Sequence, residues 1–315
     1  MNILFLAPSY NNLYLPILKA MQEAGHNVTY VEDIEFKHSP YYRGKGNKSL
    51  VKRLLKFVYY KILNAEKRYW KSKIKQNPSL SHNFDLLFCI QGISFCSLLL
   101  SHLKKYNPNI KTALYVWDSC SYYDYSIKFH YFDKVMTFDL LDSLQYNIDF
   151  LPFYWTKNQK LSNKYDISIV GTDHDGRLGI VEKIAKQLEN KNINFYFRIY
   201  SNKDVNSKYT TKELLPVETV EEIISESACI LDTDRDSQTG TTPRVIWALA
   251  LGKKIISTNQ NLRKMPFYND KQFCIIDRNN PIVDSAFILD KVSFPSNEYV
   301  AKLHIDVWIN NFVKF

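Results

Sequence analysis

Residues 230–256 constrain the fold more than any other stretch: Ile-Leu-Asp-Thr-Asp-Arg-Asp-Ser-Gln-Thr-Gly-Thr-Thr-Pro-Arg-Val-Ile-Trp-Ala-Leu-Ala-Leu-Gly-Lys-Lys-Ile-Ile. They read as an apolar strand, a polar loop, a helix and a second apolar strand. Two strands joined through a helix must run parallel, because a crossover carries the chain back to the starting edge. Pro243 suits the first helical position, and Gly252 suits the stop. Thr239, Gly240, Thr241 and Thr242 therefore bring N–H groups and hydroxyls to a helix N-terminus, a natural seat for an anion. Arg244 falls in the first turn, where a cation is unfavourable to the helix dipole. A bound phosphate group would repair that mismatch.

The remaining chain repeats the same alternation. Apolar strands are expected at residues 3–7, 28–31, 85–90, 112–117 and 134–138, with helices at 15–24 and 95–106. After a connection at 151–164, strands at 167–170, 194–200, 229–231 and 273–276 alternate with helices ending near 189 and 225. Strands and helices in alternation predict parallel sheets. A chain of 315 residues is long for one core and fits two domains of about 150 residues each. A basic helical insertion at 37–77 interrupts the first domain.

Strand, polar Gly/Thr loop, helix with Ala-Leu-Ala-Leu-Gly, then strand is similar to the donor-binding half of GT-B glycosyltransferases. The chain resembles most the branch encoded in bacterial capsule and lipopolysaccharide gene clusters. The resemblance implies an α/β protein of two Rossmann-like doubly wound domains facing a central cleft. An acceptor-side domain would span 1–156 and a donor-binding domain 157–294, with a terminal helix over 295–315 crossing back to the first. It also implies a nucleotide-sugar donor, a glycan or lipid-linked glycan acceptor, and no metal or other cofactor. One departure stands before the Ala-Leu-Ala-Leu-Gly run. Many such enzymes carry a ribose-binding Glu there, and this chain has Trp247. A cytidine-monophosphate sugar thus stays open beside uridine or guanosine diphosphate sugars.

Under this resemblance the loops after strands hold the candidate residues, since ligands of open α/β sheets bind at the carboxyl edge. Thr172 and Arg177, in Gly-Thr-Asp-His-Asp-Gly-Arg, would meet the donor phosphates together with Gly240, Thr241, Thr242 and Arg244. Two arginines there would offset charge growing on the leaving group. The plainer alternative is that Thr172 or Asp173 caps the next helix. Asp234, Asp236, Ser237 and Gln238 are expected to touch the donor sugar. Overlapping Asp-x-Asp pairs also suit a hard cation, but Arg235 among three acids points to an ion-pair network instead. Tyr200 and Leu215 would contact the base. Asp118, closing a strand of the first half, is the expected general base, with Asp139 the second choice and His174 a second proton carrier. Ser9, Tyr10 and Asn11 would touch the acceptor.

Charge and cysteine usage narrow the setting. The net charge of +9 gathers between residues 45 and 75, where eleven Lys and Arg face the single acid Glu66. Apolar residues follow helical spacing through that segment, which suits either peripheral contact with an anionic membrane or a helix docked on its own domain with a solvated basic rim. The five cysteines are odd in number and form no Cys-x-x-Cys pair, as in a reduced cytoplasmic protein without structural zinc. The first residues read as a strand and not a signal peptide. No nucleic-acid module accompanies the basic segment. Nucleophile-elbow, Walker and dinucleotide-binding motifs are missing, which disfavours hydrolase, P-loop and nicotinamide chemistry. Two other functions remain open: a nucleotide-sugar epimerase on the same frame, and a non-catalytic protein binding sugar or nucleotide.

Overall fold

The computed structural model describes residues 1–36, 58, 64–156, 162–235, 238–295 and 297–315. The chain divides into two compact units, Met1–Leu151 with Ile305–Phe315, and Pro152–His304. The division after Leu151 falls at the start of the connection read from the sequence and ahead of the expected boundary at 156, because Pro152–Thr156 already belongs to the second unit. Trp155 bridges to His304 and its indole donates to Val300 O at 2.7 Å.

The N-terminal unit is built on strands β1 (Asn2–Ala7), β2 (Asn27–Glu32), β3 (Leu86–Ile90), β4 (Lys111–Val116), β5 (Lys134–Thr137) and β6 (Asp149–Phe150). All pair in parallel, in the order β2-β1-β3-β4-β5-β6. Helices α1 (Leu15–Glu23), α2 (Ala65–Gln76), α3 (Ser97–Leu103) and α4 (Leu140–Tyr146) intervene. Strands buried on both faces read as unbroken apolar runs, and Ile-Leu-Phe-Leu-Ala and Leu-Leu-Phe-Cys-Ile are such runs. Alternation sorts their side chains. Leu4, Leu6, Leu87, Cys89, Leu114 and Val116 join one core with Trp70 and Phe95. From the other register positions, Phe5 stacks on Phe88 and Phe88 on Phe312, while Tyr115 meets Trp308 edge-on at 4.8 Å.

Asp139, the second choice for a base, caps α4: its carboxylate accepts from the N–H of Leu141 and Asp142. Most of the basic insertion at 37–77 lies outside the described residues. The part that is described, α2, buries Trp70 in the core and exposes Lys67, Arg68, Lys71 and Lys75. No helix among the described residues is long and apolar enough to cross a membrane.

The C-terminal unit carries β7 (Tyr165–Thr172), α5 (Arg177–Leu188), β8 (Phe195–Tyr200), β9 (Thr210–Thr211), α6 (Val217–Ser225), β10 (Ser227–Asp232), α7 (Pro243–Ala250), β11 (Lys254–Ser257), β12 (Phe273–Ile275), α8 (Ser285–Leu289) and α9 (Glu298–Ala301). Its sheet is also wholly parallel, in the order β12-β11-β10-β7-β8-β9. Numbered within the unit, that is the order 3-2-1-4-5-6 of doubly wound nucleotide-binding sheets. Ile167, Ile169, Ile199, Leu231 and Ile256 pack against Val181, Ile184 and Leu188 of α5. Gly252 ends α7 at φ 65°, and a Cβ there would stand 2.2 Å from Phe294 O, so no other residue fits. The expectation of two doubly wound α/β units is met.

The single terminal helix expected over 295–315 is corrected. The segment breaks into α9, α10 (Ile305–Trp308) and α11 (Asn310–Val313), and only α10 and α11 belong to the first unit. The chain leaves helical geometry at Lys302–His304; beyond it Trp308 and Phe312, four residues apart, share one helix face, and each is fully buried.

Candidate functional site

The C-terminal sheet grows outward from β7 to β8 and β9, then returns to set β10 on the other side of β7. In doubly wound sheets ligands bind beyond the carboxyl ends of the strands where the order reverses; here those strands are β7 and β10. Residues read from the sequence as phosphate-binding gather at this edge.

Asp232, the last residue of β10, organises it. Its Oδ1 accepts from the Thr242 hydroxyl at 2.7 Å and from Arg244 Nη2 at 2.9 Å, and its Oδ2 accepts from the Ser257 hydroxyl at 3.1 Å. Thr242 occupies the N-cap position of α7, yet its hydroxyl goes to Asp232 and makes no cap bond. Among the described residues the first turn of α7 thus receives no side-chain cap, and Val245 N–H turns back to Thr242 O at 3.1 Å. Asn259 Nδ2 steadies the approach by donating to Thr239 O and Gly240 O.

Two polar atoms at this turn are buried and lack a partner among the described residues, Thr241 Oγ1 and Arg244 Nε. Thr241 is fully buried. Leaving such a group unsatisfied costs about 1–3 kcal/mol, so each orphan calls for an explanation. Both atoms are shielded from solvent as the turn stands, so an anion at the start of α7 would supply them an acceptor once the turn opens to admit it.

Arg177 behaves differently from Arg244. It lies buried at the start of α5, and three of its donors are already used. Nε donates to the Thr233 hydroxyl at 2.6 Å, Nη2 to Thr233 O at 2.8 Å and Nη1 to Thr172 O at 2.5 Å. It thus ties the end of β7 to the residue after β10. Burial first, then the guanidinium of Arg244, pushes Arg177 below its ordinary value; Asp232 opposes, and Arg235 and Arg278 push further down. Gly171 makes room for both arginines, since a Cβ there would stand 3.1 Å from Arg177 Nη1 and 3.4 Å from Arg244 Nη1.

Arg278, which sequence reasoning missed, closes the edge. Nη1 donates to Asp234 O and Oδ1 at 2.8 and 2.9 Å, and Nη2 to Asp175 O at 2.5 Å. The signal was its position just past β12, in another loop at the carboxyl edge. Asp234 also accepts from the Thr258 hydroxyl, and burial pushes its carboxyl up against those donors. Asp173 takes the capping role weighed for it, accepting from Leu178 N–H at 3.3 Å. His174 is half-buried in the same loop. Burial, then Arg235 and Arg177, hold its imidazole down to about 4, so it stands neutral at neutral pH. Gln238 donates its N–H to Arg235 O at 3.1 Å, while Asp236 and Ser237 lie outside the described residues.

Tyr200 ends the neighbouring strand β8, where its hydroxyl donates to Asn202; Leu215 is half-buried between β9 and α6. Asp118 and Ser9–Asn11 belong to the N-terminal unit. Gln91 Nε2 donates to Asp118 Oδ2 at 2.6 Å, while Gln91 Oε1 accepts from Trp117 N–H at 3.3 Å, so one carboxamide joins β3 to the acid beyond β4. The Ser9 hydroxyl donates to Glu32 at 2.5 Å, and Tyr10 and Asn11 are exposed.

Trp247 is only 7% exposed and its indole N–H donates to Tyr154 O at 3.0 Å. It anchors the chain entering the unit to α7, which gives this position a packing duty. Trp247→Phe removes that bond and leaves the space of the second indole ring empty, so it should cost more than the roughly 1 kcal/mol of the bond alone in urea unfolding and leave ligand response intact. A variant as stable as the parent would remove the anchor assignment.

The sequence matches no protein-family profile and no curated protein. Among solved structures it is similar to MurG of Acinetobacter baumannii, at 13% identity over 99% of this chain and 93% of that one, with a TM-score of 0.43. It is also similar to the apo D-lactate dehydrogenase of Escherichia coli, at 10% identity over 82% and 73% of the chains, with a TM-score of 0.23. A D-2-hydroxyisocaproate dehydrogenase shares 11% identity over 82% and 70%, with a TM-score of 0.25. All three likenesses are distant in sequence and in superposition.

Proposed function

We propose that this chain is a glycosyltransferase that takes a sugar from a nucleotide-activated donor held by the C-terminal unit. One observation carries the reading: among the described residues, Thr241 Oγ1 and Arg244 Nε are buried without partners at the start of α7, which has no side-chain cap, beside the point where the strand order reverses. That set of donors suits a phosphate. In the proposed reaction the same groups stabilise charge on the departing nucleotide phosphate, with no metal ion required. Arg177 and Arg278 hold the loops that surround it. Asp234, Asp236, Ser237 and Gln238 are assigned to the donor sugar, and Tyr200 and Leu215 to the base.

On this reading Asp118 in the N-terminal unit takes the proton from the acceptor hydroxyl, with its carboxylate held by Gln91. His174, neutral at working pH, is the second proton carrier. The acceptor is proposed to be a growing surface glycan of the capsule, O-antigen or lipopolysaccharide type, lipid-linked and met by Ser9, Tyr10 and Asn11. The reaction would then run at the cytoplasmic face of the membrane, with residues 45–75 as the peripheral contact.

A thermal-shift panel of nucleoside mono- and diphosphates tests the donor site. A binder at a hundred times its Kd adds about 2.7 kcal/mol, and at least one nucleotide is expected to raise the melting temperature. A flat panel would sink the assignment. Nucleotide sugars of the winning base, incubated without acceptor, should show slow hydrolysis or no reaction. An epimerised product would replace transfer with isomerisation.

A further inference from the structure

The N-terminal sheet has its own reversal, between β1 and β3, and the loop beyond β3 is filled from within. Asp33 directly follows β2. In dinucleotide-binding sheets an acid near this point turns outward to a ribose; here it turns inward. Its Oδ2 accepts from Ile93 N–H at 2.6 Å, and its Oδ1 accepts from Ser94 N–H and the Ser94 hydroxyl, each at 2.6 Å. Asp33 is 3% exposed.

The turn that supplies these donors is shaped for convergence. Gln91 and Gly92 are both left-handed, at φ 65° and 62°, and successive N–H groups near such a turn can face one concavity. Lys128 Nζ braces the turn by donating to Gly92 O at 3.0 Å and Ile93 O at 2.6 Å, and to Glu66 at 3.0 Å. Trp70 Nε1 donates to Ser94 O at 2.7 Å. The donors are thus fixed by contacts that do not involve Asp33. Burial pushes the Asp33 carboxyl up to about 6, while the Ser94 hydroxyl and amide, Lys128 and the Ile93 amide pull it down.

We infer that the turn at residues 92–94 is a preformed site for a small carboxylate, and that Asp33 is its built-in occupant. Its consequence is an asymmetry between the units: the N-terminal one fills its anion seat with its own side chain, leaving nucleotide phosphate to the C-terminal one. The seat and its occupant do not depend on the glycosyltransferase reading, whereas the assignment of nucleotide phosphate to the C-terminal unit rests on it.

Removing the tethered carboxylate should open the seat to a free one. The full chain carrying Asp33→Gly is melted at pH 7.5 in sodium formate and in sodium chloride of equal ionic strength. At ten times the half-saturating concentration, formate should raise the melting temperature by roughly 3–6 °C over chloride. Wild type and Asp33→Asn, whose side chains fill the seat, should show no such difference. If Asp33→Gly does not stay folded, formate in the refolding buffer should restore folding where chloride does not. Equal behaviour in formate and chloride by either measure would overturn the proposal. So would an equal formate response in wild type, which would put the ion elsewhere.

Discussion

Arg244→Ala is expected to abolish the nucleotide-induced rise in melting temperature, with affinity falling at least about a hundredfold. A charge-assisted hydrogen bond is worth about 1.5–3 kcal/mol, and this change removes one while also unmasking a repulsion. Arg244 Nη2 is a close cation for Asp232, whose side chain is only 1% exposed. Without the guanidinium, that carboxylate would face the incoming phosphate at close range. Arg244→Lys should recover only part of the affinity, because an ammonium cannot serve Asp232 through Nη2 and a ligand through Nε in one plane. The readouts are titration calorimetry with the best nucleotide of the panel and the ligand-free melting temperature. Unchanged affinity in Arg244→Ala would remove the start of α7 from the site and, with it, the donor assignment.

How far the sequence reaches is visible by comparing residues. The turn from Thr239 to Arg244 was legible because Pro243 and Gly252 fix both ends of a short helix by backbone chemistry. Buried strands were legible as apolar runs, whereas β6 and β9 have two residues each and carry no periodic signal. The terminal segment was misread as one helix because its apolar residues suit helical spacing, while the break at Lys302–His304 has no proline or glycine to mark it. Arg278 and Asp33 were not singled out, since their significance lies in partners far away along the chain: Asp175 and Asp234 for one, Ile93 and Ser94 for the other. Trp247 stood out as a departure, but its indole bond to Tyr154 depends on a tertiary contact.

The sharpest limit concerns Arg177, which the sequence gives the same standing as Arg244: an arginine at the start of a helix, just past a strand. The geometry separates them and predicts different phenotypes. Arg177→Met keeps much of the side-chain volume and deletes the donors, stranding Thr233 O, the Thr233 hydroxyl and Thr172 O, all of which accept from it now. A buried polar group left unsatisfied costs about 1–3 kcal/mol, partly offset here because the repulsion of Arg177 by Arg244 is relieved; a net loss of that order would lower the melting temperature of a unit this size by about 2–12 °C. Affinity per folded molecule should fall less than in Arg244→Ala, because Arg244 Nε and Thr241 remain. The decisive comparison is a pair of urea titrations with calorimetry on the refolded fraction. If Arg177→Met keeps parental stability but loses the ligand, the three bonds are incidental and Arg177 belongs with Arg244 as a phosphate contact. If stability falls while binding survives, Arg177 is the clamp that keeps the ends of β7 and β10 in position for Arg244 to act.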